Sequence, residues 1–228
     1  MAYAFVTGGS RGIGREIAFG CGELGYDTIV VARNENDLSQ LRNDWRERGL
    51  STELICVAAD LSSGKVIGKL IGRLGDDGIL PEVIVNNAGR FSPGALTEDP
   101  DLLSSLLDLN LLAPHRLTAA WLPEMLARGS GTLITVGSTA ATGLGADMAA
   151  YAISKAALHA WHRCLEGSIA GSDLRSLLLV PGPVLTSSWE DQSDRPERML
   201  TAEGVARRVT DFLRQAQAGE RGTITVRP

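Results

Sequence analysis

Tyr151 and Lys155 stand four residues apart, a phenol and an ammonium that a helix would bring to one face, a turn from each other. A free tyrosine ionises only near about pH 10, so it is a reluctant proton donor or acceptor at neutrality. A neighbouring cation favours the phenolate and draws its ionisation toward the working range. The same spacing also arises as an exposed tyrosine above a solvated lysine, so the pair gains meaning only from its surroundings. A second chemical feature lies near the N-terminus, in the stretch Gly8-Gly9-Ser10-Arg11-Gly12-Ile13-Gly14. Glycines between a strand and a helix let backbone N–H groups approach a pyrophosphate at the positive helix end. A plain tight turn is the alternative, and the strand and helix on either side favour the anion site.

Positioning these groups requires alternating strands and helices. Buried-strand runs occupy 3–7, 28–32, 51–58, 82–85, 131–136, 174–180 and 223–226, and helical patterns 37–48, 66–74, 102–128, 149–169 and 201–217, besides the helix that begins at Arg15. That alternation predicts an α/β fold: a doubly wound parallel sheet of about seven strands with helices on both faces, in one domain spanning 1–228. In such a sheet ligands bind outside the carboxyl ends of the strands, where Ser138 would follow the fifth strand. The end of the second strand faces an adenine ribose in a dinucleotide fold. A carboxylate there suits a 2′-hydroxyl, and an arginine a 2′-phosphate. Here Ala32 takes the place of the acid and Arg33 follows, with Arg11 able to reach the same phosphate, which points to NADP(H) over NAD(H). A solvated loop charge is the alternative for Arg33.

Asp60 has two readings, an acceptor for the adenine amino group or a helix cap before Ser62 and Ser63. Asn86-Asn87-Ala88-Gly89 after the fourth strand suits close backbone approach to a cofactor, with a structural role for Asn86. Asn110 lies among leucines, where an amide is costly to bury unless it is satisfied. It holds a water or bends the helix, and Pro114 fits a bend. The segment 186–200 has no clear period and is expected as a loop over the site.

Composition narrows the classes. The 228 residues carry a net charge of −5 and are 44% hydrophobic, which suits a globular protein and gives no basic face for nucleic acid. No apolar run approaches the ~20 residues of a membrane span. A strand starts almost at once, leaving no room for a signal peptide, so a cytoplasmic location is expected. Cys21, Cys56 and Cys164 are expected as buried free thiols, with no metal site.

Taken together, Thr7-Gly8-x-x-x-Gly12-x-Gly14, Asp60, Asn86-Asn87-Ala88-Gly89, Asn110, Ser138, Tyr151-x-x-x-Lys155 and Pro181-Gly182-x-x-x-Thr186 resemble the compact single-domain branch of the short-chain dehydrogenase/reductase family over nearly the whole chain. The resemblance implies a Rossmann-like fold and an NADP(H)-dependent oxidoreductase. It implies Tyr151 as general acid and base, Lys155 lowering its pKa and binding the nicotinamide ribose, Ser138 holding the substrate oxygen, and Asn110 binding a water that links Lys155 to solvent. Gly8, Ser10, Arg11, Gly12, Ile13 and Gly14 would form the pyrophosphate turn. Arg33, Asp60, Leu61, Asn87, Ala88 and Gly89 would meet the adenosine, and Pro181, Gly182, Val184 and Thr186 the nicotinamide. The region after Thr186 is short for the family, which abbreviates the usual substrate lid. A homodimer or homotetramer through 102–128 and 149–169 is implied.

Three functions are open on these residues: a carbonyl reductase or alcohol dehydrogenase, a non-redox enzyme such as an epimerase or dehydratase, and an inactive NADP(H)-sensing protein. The complete Asn110, Ser138, Tyr151 and Lys155 set favours the first. Phe91, Leu144, Met148 and Trp189 are the larger expected pocket surfaces and suggest a modest apolar carbonyl substrate.

Overall fold

The computed structural model describes residues 2–95, 97–143, 145–186 and 196–228. Strands β1 (Tyr3–Thr7), β2 (Asp27–Ala32), β3 (Leu54–Ala58), β4 (Pro81–Asn86), β5 (Thr132–Val136), β6 (Arg175–Pro181) and β7 (Arg221–Val226) form one sheet. Their order is β3-β2-β1-β4-β5-β6-β7, and every neighbouring pair is parallel. The sheet and its helices are therefore the expected doubly wound arrangement, and the reversal of strand order falls between β1 and β4.

Helices α1 (Gly12–Glu23), α2 (Glu35–Glu47) and α7 (Ala202–Gln215) cover one face. Ile17, Phe19, Leu38, Val205 and Phe212 from these helices pack on Ala4, Val6, Val30 and Val85 from the strands. The opposite face takes α3 (Gly64–Asp76), α5 (Ala113–Arg128) and α6 (Ala149–Ser168). There Leu70, Leu117, Trp121 and Leu165 meet Phe5, Ile29, Ile84 and Leu133. Consecutive residues of one strand thus serve opposite cores, which is why the central strands read as unbroken apolar runs. Phe5 and Trp121 meet edge to face with centroids 4.8 Å apart, a geometry worth about 0.5–1.5 kcal/mol beyond burial.

Proline is expected to interrupt the stretch 102–128 at Pro114 and at Pro123; the break falls just ahead of Pro114, and Pro123 lies inside α5. Helix α4 (Leu102–Leu107) passes into a π-helical turn (Asp108–Leu112) and then into α5. The Ala113 N–H reaches back five residues to the Asp108 carbonyl. Pro114 has no N–H to offer Asn110, so the regular four-residue ladder cannot run through this point. At α3 the cap is Ser63, whose hydroxyl accepts the Val66 N–H. Asp60 is therefore not the cap; it closes a turn on Ser62. Of the three free thiols only Cys21 is buried, while Cys56 is half-buried on the edge strand β3 and Cys164 is exposed on α6. Among the described residues no helix is long and apolar enough to cross a membrane.

Candidate active site

The glycine turn leaves β1 and enters α1. Gly14 sits where a Cβ would lie 2.3 Å from Asn87 Nδ2 and 2.4 Å from the Gly8 carbonyl oxygen, so no other residue fits without moving backbone. Asn87 is what crowds it. Its amide donates to the Thr7 and Gly8 carbonyls at 2.9 and 3.1 Å, and its N–H donates to Thr7 Oγ1 at 2.9 Å. These bonds lock the ends of β1 and β4 together. Asn86 is structural as expected, donating to Thr118 Oγ1 at 3.1 Å from a buried position. Helix α1 starts at Arg11 with no side-chain cap and no acid in its first turn, whereas α2, α3 and α7 are capped by Asn34, Ser63 and Thr201. Its leading N–H groups and the positive end of its dipole are left for an anion.

A cavity of about 880 Å³ opens over this turn along the carboxyl ends of β1, β2, β4, β5 and β6. Gly8, Ser10, Arg11, Gly12, Ile13, Gly14, Arg33, Leu61, Asn87, Ala88 and Gly89 line one part. Ser138, Tyr151, Lys155, Pro181, Gly182, Val184 and Thr186 line the other, with Phe91 and Met148 beside them. Asp60 is set apart. It borders an adjoining cavity of about 200 Å³ with Arg33 and Arg90, and its carboxyl is held low by hydrogen bonds from the Ser62 N–H and hydroxyl, with Arg33 adding to them. Leu144 and Trp189 lie outside the described residues.

Ser138 lies two residues past the end of β5, in extended conformation, and begins a short 3₁₀ turn (Thr139–Ala141). Its hydroxyl accepts the Ala140 N–H at 3.1 Å. A second 3₁₀ turn (Ala146–Met148) leads into α6, whose first turns bring Tyr151 and Lys155 to the cavity. Phe91 meets the Tyr151 ring edge to face at 5.1 Å. Lys155 is buried, donates to the Val136 carbonyl at 3.1 Å, and holds its Nζ 6.0 Å from the centre of the Tyr151 ring.

Burial raises the Tyr151 phenol above its ordinary value, with a hydrogen bond to Ser138 working against it. Lys155 is turned toward the Val136 carbonyl, and its own burial pushes it down to about 8. In this state the phenol is held protonated.

Asn110 is fully buried in the π-helical turn and stands outside the cavity lining. Its Oδ1 accepts the Arg90 N–H at 2.9 Å, and its Nδ2 donates to the Arg90 carbonyl at 3.2 Å and to Ser154 Oγ at 3.0 Å. The amide is therefore satisfied by protein, which is how a leucine-rich stretch tolerates it. A Cβ at Gly89 would lie 3.2 Å from Asn110 Oδ1 and 3.5 Å from Lys155 Nζ, so both groups border the same glycine.

Sequence reasoning missed Leu109, Gly137 and Asp37, which line the cavity, and His159, whose ring touches Gly137. Gly137 had a local signal, a glycine at a strand end. His159 had none.

Comparison with known proteins agrees with the fold. Residues 2–197 match the family described as short chain dehydrogenase. A short chain dehydrogenase of Pseudocercospora fijiensis is 34% identical over 184 residues, 79% of this chain, and the chain spans 59% of that relative's length. An uncharacterized oxidoreductase of Mycobacterium tuberculosis is 34% identical over 195 residues, covering 82% of this chain and 71% of its own. A solved metagenomic short-chain oxidoreductase in complex with NADP superposes with a TM-score of 0.82 at 30% identity, over 100% of this chain and 96% of that one. With the match running from the glycine turn through Tyr151, Lys155 and Thr186, the chain belongs to the short chain dehydrogenase family.

Proposed function

We propose that the protein is an NADP(H)-dependent oxidoreductase that moves hydride between the nicotinamide and a carbonyl or secondary alcohol, with Tyr151 as general acid and base. The observation that carries this reading is the convergence, in one cavity, of an uncapped helix start, Arg11 and Arg33, and the Ser138, Tyr151 and Lys155 side chains. The cavity's volume suits a dinucleotide together with a small substrate, and the solved relative at 30% identity is a complex with NADP.

The residues fit the cofactor part by part. The N–H groups of Gly12, Ile13 and Gly14 would hold the pyrophosphate, Arg11 and Arg33 the 2′-phosphate, and Leu61 and Ala88 the adenosine. Pro181, Gly182, Val184 and Thr186 would hold the nicotinamide end. Asn87 acts mainly by fixing the turn, and Asp60, which borders the adjoining cavity, would meet the adenine from there. When bound, the nicotinamide supplies or accepts the hydride.

The protein's own part is the proton and the developing charge. Tyr151, held protonated by burial, gives its proton to the carbonyl oxygen during reduction. Ser138 donates to the same oxygen, so two preorganised donors face the charge where it appears. The Lys155 ammonium stabilises the phenolate left behind and, in the reverse direction, helps it form. Asn110, which borders Gly89 together with Lys155, would bind the water that links Lys155 to solvent and replaces the proton. Phe91 and Met148 favour an apolar carbonyl compound. The protein acts as one domain, in the cytoplasm, as a homodimer or homotetramer through α5 and α6.

The test is NADPH consumption across a panel of aliphatic and aromatic ketones and aldehydes, with product formed in equal amount. Tyr151→Phe should lower turnover about 10²–10⁴-fold while NADPH still binds. Unchanged turnover in that variant, or product without cofactor oxidation, would refute the reading.

A further inference from the structure

His159 follows Lys155 by one turn of α6, so Tyr151, Lys155 and His159 succeed one another at four-residue intervals along the helix. Its Nε2 accepts the backbone N–H of Ser138 at 3.2 Å. The ring is only 7% exposed and presses on Gly137, where a Cβ would lie 2.2 Å from Nε2. Glycine at 137 is thus the condition for an imidazole to reach the backbone as the chain leaves β5. Ser138 is held on two sides. Its hydroxyl engages Tyr151 and the Ala140 N–H, and its own N–H is held by His159.

We propose that His159 is a positioning residue that fixes the Ser138 backbone and so aims the Ser138 hydroxyl at the oxygen that Tyr151 protonates. The proposal rests on the reading of Ser138 and Tyr151 given above, and adds a residue outside that set. The chemistry of the bond is specific. A backbone N–H only donates, so Nε2 must carry a lone pair and the ring must be neutral, with its proton on Nδ1. Burial, then the charges of Lys155 and Arg163, push the imidazole down to about 4. The ring therefore remains an acceptor throughout the neutral range, and the cation serving Tyr151 also keeps His159 able to hold Ser138.

The experiment compares His159→Gln, whose Oε1 can replace Nε2 as acceptor, with His159→Leu, which has none. Should the leucine variant fail to fold, His159→Asn takes its place, being one methylene too short to reach. Four readings are taken: kcat, KM, NADPH affinity, and the Ser138 amide signal in ¹H–¹⁵N NMR. Removing the acceptor should lower kcat about three- to tenfold, the range one net hydrogen bond supports. KM and NADPH affinity should stay within about twofold, and the Ser138 amide should move. The glutamine variant should restore both kcat and the amide signal. Equal loss in the glutamine and acceptor-less variants, a change confined to NADPH affinity, or an unmoved Ser138 amide would overturn the proposal. Ser138→Ala and Tyr151→Phe are measured alongside. If those two retain full turnover, the proposed reaction has failed, and the Ser138 amide signal then decides whether His159 holds this backbone.

Discussion

Lys155 Nζ donates to the carbonyl of Val136, the last residue of β5, at 3.1 Å, so an ammonium is anchored inside the protein at the edge of the cavity. Burial pushes it from 10.5 down to about 8. Between those values the unfolded chain binds more proton than the folded one, so stability rises with pH across that window. Below about pH 8 the folded protein carries the full desolvation cost, on the order of 3 kcal/mol. Lys155→Met should therefore stabilise the cofactor-free protein at pH 7 by about 1–3 kcal/mol while abolishing turnover. Urea unfolding from pH 7 to 10.5 should show the advantage fading toward the upper end. A gap that stays constant with pH would exclude this account.

Arg33 lines the cavity just past the end of β2, where Ala32 rather than an acid closes the strand. Arg33→Ala should weaken NADPH binding about 10- to 100-fold, the strength of a charge-assisted contact, and leave NADH within about twofold. Titration followed by tryptophan fluorescence separates the two cofactors. Equal weakening of both would assign Arg33 to something other than the 2′-phosphate.

Gly14→Ala gains helix propensity and loses space. The gain is at most about 1 kcal/mol, and the clash with Asn87 and the Gly8 carbonyl costs about 1–3 kcal/mol and displaces the turn. Thermal unfolding should shift down, and NADPH binding should fall by more than the stability change alone explains. An alanine variant with unaltered NADPH affinity would show that the turn has room it is not credited with.

His162 is fully buried on α6, with Nδ1 2.9 Å from Thr135 Oγ1. Glu166 lies 3.7 Å from Nε2, yet burial prevails and pushes the imidazole down to about 4, with His159 adding to it. Between about pH 6.5 and 4 the unfolded chain takes up a proton that the folded chain refuses, so stability falls on acidification through that window by up to about 3 kcal/mol. His162→Gln should flatten this limb in denaturant unfolding at pH 7, 5.5 and 4. An unchanged slope would mean that other groups set the acid sensitivity.

Much of this architecture is legible in the chain, for identifiable reasons. Strands buried on both faces read as apolar runs, and glycines needed for close approach, such as Gly14, stand out against them. The turn at 108–112 was not legible, because the leucines around Asn110 are dense enough to fit an α-helix or a π-turn. Asp60 carried two readings, and only the structure separates its bond to Ser62 from the cap made by Ser63. His159 was hidden for a different reason. Its partner lies 21 residues away, and the contact is to backbone, which leaves no mark on residue type at Ser138.

The bonds from Asn87 to Thr7 join residues 80 apart in the chain, and they are what hold the glycine turn against β4. Closing a loop of that length costs conformational entropy before any contact repays it. The anion-binding turn therefore cannot mature as a local unit when the first βα segment emerges during synthesis. Its bonds to Asn87 exist only with β4 in place, so the turn belongs to the assembled β1–β4 half of the sheet and not to the first βα segment alone.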